Sequence, residues 1–127
     1  MTAWPEWIDT GDKYLRSATG GGGKPPRFAG SLRYNLIAMA FESYAMAACD
    51  FNNILPENHT ISDLVYSLQQ CVTLDAKIVG QLLGYEKFQQ ICSFTDYTRL
   101  EASEEELDGF CSVVGKIAAI AHGVCTS

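Results

Sequence analysis

The sequence predicts an all-α domain, a four- to five-helix antiparallel up-and-down bundle. Three observations lead there. Residues 29–49 are apolar on almost every helical face, the signature of a helix buried among others. Helix-opening signals recur at Thr60/Asp63 and Ser103/Glu106. Nowhere does the chain alternate apolar and polar residues with the period of a strand. At 127 residues it holds one core, so residues 1–127 form a single domain.

Pro5 and Glu6 suit a first helical turn, where the missing proline N–H costs nothing and a carboxylate complements the dipole. Trp4, Trp7, Ile8, Gly11, Leu15 and Ala18 then recur at helical spacing, predicting an amphipathic helix over 5–18. Gly20 to Pro26 stops it and reads as a flexible inter-helix loop. This is not a phosphate loop, because Pro25 follows Lys24 and no strand precedes it. The second helix is predicted from about Ala29 to Cys49, and the Asn/Pro/Glu/Asn stretch 52–58 reads as the turn of a central hairpin. Thr60 opens the third helix, with Ile61, Leu64, Val65 and Leu68 as its buried face. Leu74–Gly84 and Glu86–Phe94 read as two short helices, or one bent near Gly84, and Asp96–Arg99 as a loop. The last helix follows the Ser103/Glu106 capping box. It carries Leu107, Phe110, Cys111, Val114, Ile117, Ala118, Ala121 and Cys125 on one face. Val113 and Ile120 form a second apolar ridge, which predicts a homodimer through this helix.

Apolar content of 47% against 19% charged residues excludes a disordered chain. The net charge of −6 is unevenly spread. Residues 1–35 hold five basic against three acidic side chains, and the remainder four against twelve. Nucleic-acid binding would therefore need a partner or a local patch, for which Lys24, Arg27 and Arg33 are the candidates. Five cysteines without a CxxC motif or tight clustering behave as small hydrophobes and point to the reducing cytoplasm. Trp4-Pro5-Glu6-Trp7 is unlike a signal peptide, and Leu36–Cys49 is too short to span a bilayer, so a soluble protein without membrane contact is expected.

At about 100° per residue, Ser31, Asn35 and Glu42 fall in one polar stripe on the apolar second helix, while Arg33 points elsewhere. A carboxylate there needs a partner or a cleft. Glu42 is therefore either a structural residue bonded to Tyr97, Arg99 or a neighbouring amide, or the wall of a small polar pocket; Ser31, Asn35, Glu42, Tyr97 and Arg99 form the candidate ligand-binding set. His59 beside the third helix reads as a packed or turn-bonded residue, since no second histidine or cysteine is placed to share a metal. Glu104-Glu105-Glu106 reads as a solvated first turn matched to the helix dipole, not a metal site, and no cofactor is expected.

Several motifs, taken in order along most of the chain, resemble the HEPN family, small helical domains associated with minimal nucleotidyltransferases. They are the opening helix around Trp7-Ile8, the alanine-rich Ala40-Phe41-Glu42-Ser43-Tyr44-Ala45, the Pro56-to-Leu64 turn with His59, and Asp96-Tyr97-Thr98-Arg99. The resemblance implies a metal-independent ribonuclease where four to six residues separate an arginine from a following histidine. This chain has no such pair; the nearest is Lys116 with His122, and lysine lacks the flat bidentate fork of a guanidinium. The expectation is thus a non-catalytic binding or accessory protein, antitoxin-like, a nucleotidyltransferase partner or nucleotide-binding. The alternatives are a weak ribonuclease acting on RNA through Lys116 and His122, and a purely structural dimeric scaffold.

Overall fold

The computed structural model describes residues 3–19, 30–88 and 102–125. Five α-helices fill them: α1 (Trp4–Thr19), α2 (Gly30–Phe51), α3 (Ile61–Gln69), α4 (Ala76–Gly84) and α5 (Glu104–Cys125), with a 3-10 turn at Glu86–Phe88. Among the described residues there is no strand, as expected. The Gly20–Pro26 loop with Lys24 and Arg27, the Ser31 side chain, Cys92 and the Asp96–Arg99 segment lie outside the described residues.

The helix α2 is the axis of the core, with Ile37, Ala40, Phe41, Tyr44 and Ala48 fully buried. Across it α1 runs in the opposite sense. The Trp4 ring meets Phe51 edge-on at 5.5 Å, and Arg33 Nε donates to the Ala18 carbonyl at 3.0 Å. Midway, Gly11 lets the two backbones approach, since a Cβ there would lie 2.9 Å from the Tyr44 ring. A left-handed Asn53 (φ 60°) ends α2. The N–H of Ile54 reaches back to the Cys49 carbonyl (2.8 Å) and that of Asn53 to Asp50 (3.1 Å), a Schellman closure with asparagine where glycine is commonest.

The α2–α3 connection departs from the predicted hairpin. His59, just before α3, contacts Glu42, and Cys71, just after α3, contacts Cys49. The two helices therefore run in the same sense. Residues 52–60 are not a tight turn but a return strap along α2. Nine residues reach about 30 Å when extended, ample for the ~10 Å that α2 rises from residue 42 to 49. Thr60 then caps α3, its Oγ1 accepting from the Asp63 N–H (3.2 Å), and Ile61, Leu64, Val65 and Leu68 are buried as predicted. A true hairpin follows instead at α3–α4. Asp75 caps α4, and Glu86 comes back to the start of α3, where its Oε1 accepts from the Ser62 N–H (2.9 Å) and hydroxyl (2.7 Å).

Like α3, α5 runs in the same sense as α2, from Glu104 and Asp108 beside Arg33 to His122 near Tyr44. Its start is the predicted capping box, with the Glu106 N–H donating to Ser103 Oγ (3.1 Å) and the Ser103 N–H to Glu106 Oε1 (3.0 Å). A stack of Tyr85 on Phe110 at 4.6 Å ties it to the end of α4. Three helices thus share one direction, and α1 and α4 oppose them. The all-α prediction holds, but the strict up-and-down order does not describe α2 and α3.

By length and composition alone, α5 is apolar enough to cross a bilayer. Packing against α1, α2 and α4 accounts for much of that character, with Leu107, Phe110, Val114 and Ile117 fully buried. The same packing corrects the predicted outer ridge: Val113 is 2% exposed and belongs to the chain's own core. Ile120 is half-buried at the core's edge.

Candidate functional site

Successive steps of three and four residues put Leu32, Asn35, Met39 and Glu42 on one stripe of α2. That stripe reaches solvent although the rest of the helix is the core's axis: Leu32 is 52% and Met39 42% exposed, and Asn35 is exposed between them. Glu42 Oε1 lies 3.0 Å from His59 Nδ1, and the two side chains are 35% and 45% exposed. The carboxylate is therefore paired with the strap at a partly exposed position. The partner is the turn histidine; the proposed alternatives Tyr97 and Arg99 lie outside the described residues.

Both members of the sequence-predicted pair, Lys116 and His122, are exposed on α5. Lys116 and His122 are six residues apart on α5, which sets them about 120° apart around the axis. The ring of His122 instead turns to α1, with Nε2 2.9 Å from Asp12 Oδ1. The same oxygen accepts a 2.6 Å hydrogen bond from the Tyr44 hydroxyl on α2. One carboxylate thus joins three helices. Burial pulls the Asp12 carboxyl upward, but the hydrogen bonds from Tyr44 and His122 outweigh it and hold the group below its ordinary value. Burial, followed by the anionic Asp12, pushes the Tyr44 hydroxyl well above the usual phenol range, so it stays a donor.

Sequence reasoning passed over Asp12, which stands on an ordinary amphipathic helix. The available signal was Tyr44, because a tyrosine in the middle of a buried helix needs a partner for its hydroxyl.

Arg33 is not part of an anion-attracting surface. It is 3% exposed, and its guanidinium donates to the Ala18 carbonyl, to Glu104 (3.0 Å) and to Asp108 (2.8 Å). Burial pulls its pKa down, but the bond to Asp108 leads the contributions that raise it overall. Glu104 is accordingly an ion-pair partner as well as a first-turn acid. No cluster of three or more metal-ligating side chains occurs among the described residues.

Compared with protein-family models, curated proteins and solved structures, the chain finds no match.

Proposed function

We propose that the chain is a non-catalytic, HEPN-like accessory module that acts by presenting the Leu32–Asn35–Met39–Glu42 face of α2 to a protein partner. The partner class is a nucleotidyltransferase-like protein, in an antitoxin-like or substrate-handling role. The observation that carries this reading is that two large apolar side chains stand in solvent on the helix that forms the core's axis. Exposed apolar groups beside a polar rim are what a partner surface presents. Self-association through α5 remains part of the proposal with Ile120 as its contact, Val113 being inside the core.

A second reading, the weak ribonuclease, has its own support in the Asp12–His122 pair, since a carboxylate orients a histidine for proton transfer. Labelled RNA incubated with the wild type and with His122→Ala separates the two. The accessory reading expects the same background in both; cleavage that vanishes in His122→Ala refutes it. For the accessory reading itself, Met39→Glu should abolish co-sedimentation with a nucleotidyltransferase that the wild type binds. Unchanged binding in that variant moves the contact elsewhere.

A further inference from the structure

Because α3 runs in the same sense as α2, its exit lies beside the C-terminal end of α2, and two cysteines far apart in sequence meet there. Cys49 Sγ and Cys71 Sγ are 3.8 Å apart, in van der Waals contact. Cys49 is fully buried on α2, whereas Cys71 is half-exposed in the turn after α3. A disulfide needs its sulfurs at about 2.0 Å, so the pair must close by less than 2 Å. Cys71 lies just past α3, with its N–H bonded to the Leu68 carbonyl (2.9 Å) and its thiol 3.6 Å from the Ser67 carbonyl, so closing on Cys49 exchanges the second contact and keeps the first. Cys125, also buried, is within electrostatic reach of Cys71.

We propose that Cys49 and Cys71 are an oxidation site, forming an intramolecular disulfide that pins the end of α2 to the α3–α4 turn. The oxidant class is a small-molecule disulfide. The Cys71 thiolate, the one that solvent reaches, attacks it, releasing one small thiol and leaving a mixed disulfide. Cys49 gives its proton to solvent and attacks the Cys71 sulfur, and the second small thiol leaves. Two protein thiols lose two protons and two electrons; one small disulfide takes them up and becomes two thiols. Burial pushes Cys49 up to about 12, and burial also raises Cys71, so the exchange is slow at neutral pH and speeds as pH rises. In the reduced protein the contact is simply part of the core. Once formed, the bond closes a loop containing the whole return strap, residues 52–60.

The test is oxidation of the intact protein with oxidised glutathione, followed by acid quench, alkylation under denaturing conditions and peptide mapping. The expected result is a linked Cys49–Cys71 peptide, with alkylatable thiols falling from five to three. Cys71→Ser should abolish the link and Cys125→Ser should leave it, each variant first checked for native helicity. Since the map on the wild type needs no variant, a folding defect in either does not blunt the test. Alkylation of both Cys49 and Cys71, a glutathione that persists on Cys71, or a link from Cys71 to another cysteine would each overturn the proposal.

Discussion

Substituting Asp12 tests the three-helix junction most directly, because its two partners differ in burial. Tyr44 is fully buried, so Asp12→Ala leaves its hydroxyl without the acceptor it has in the native core. An orphaned buried hydroxyl costs about 1–3 kcal/mol. The His122 contact is 47% and 33% exposed on its two sides, which limits its share to about 1 kcal/mol or less. Asp12→Ala should therefore cost about 2–3 kcal/mol. Tyr44→Phe alone leaves a carboxylate that water can still reach, for about 1 kcal/mol. The double variant leaves nothing orphaned in the core and should be more stable than the sum of the single losses by about 1 kcal/mol or more. Urea unfolding followed by far-UV circular dichroism, with equal slopes across the four proteins, measures the cycle. Additivity within about 0.5 kcal/mol would show that the Tyr44–Asp12 bond does not stabilise the junction as argued.

Gly11→Ala should lower the melting temperature, because the new methyl meets the Tyr44 ring, whose hydroxyl is tied down, and overpacking of about 1–3 kcal/mol outweighs a helix-propensity gain near 1 kcal/mol. Gly80→Ala in α4, with nothing within 4 Å, should raise it by the propensity term alone. Neutralising both partners of Arg33 with Glu104→Gln and Asp108→Asn should cost about 2 kcal/mol in urea unfolding, since charge-assisted bonds to a buried guanidinium are lost while the carboxylates are themselves well exposed. In acid, Asp12 and Glu86 are both held below their ordinary values, Glu86 chiefly by the Ser62 backbone N–H and hydroxyl. A depressed folded-state pKa stabilises above the unfolded value and is lost as pH falls through the folded one. Wild-type stability should therefore drop below roughly pH 4, and the drop should be smaller in Asp12→Ala/Glu86→Gln.

Local signals in the sequence were read correctly wherever a single helix decides them. The Ser103/Glu106 box, the Thr60 cap and the four predicted core residues of α3 all depend on neighbours within one or two turns. Direction was not legible. Asn52 to Asn58 has the composition of a turn whether it doubles back at once or runs the length of another helix. What decides between them is the tertiary pairing of His59 with Glu42 and Cys71 with Cys49. Val113 was misplaced for a related reason: a helix packed by three neighbours buries a wider arc than one core face, and sequence periodicity does not count neighbours. Arg33 could not be found in its ion pair either, because its partners stand more than seventy residues away.

The return strap also explains why the candidate partner face and the thiol pair can act separately. Both depend on α3 lying alongside α2, yet they occupy opposite ends of that contact. At the start, Glu42 and His59 are each more than a third exposed, and their attraction is correspondingly screened. At the finish, Cys49 is dry and its contact with Cys71 is a matter of packing. About 10 Å of helix separates the two along α2. A disulfide at the far end adds its restraint mainly by limiting the unfolded chain, and asks nothing of the stripe from Leu32 to Glu42. Cross-linking therefore stabilises the platform without reshaping the face, whereas a charge placed at Met39 alters the face and leaves the thiols where they are.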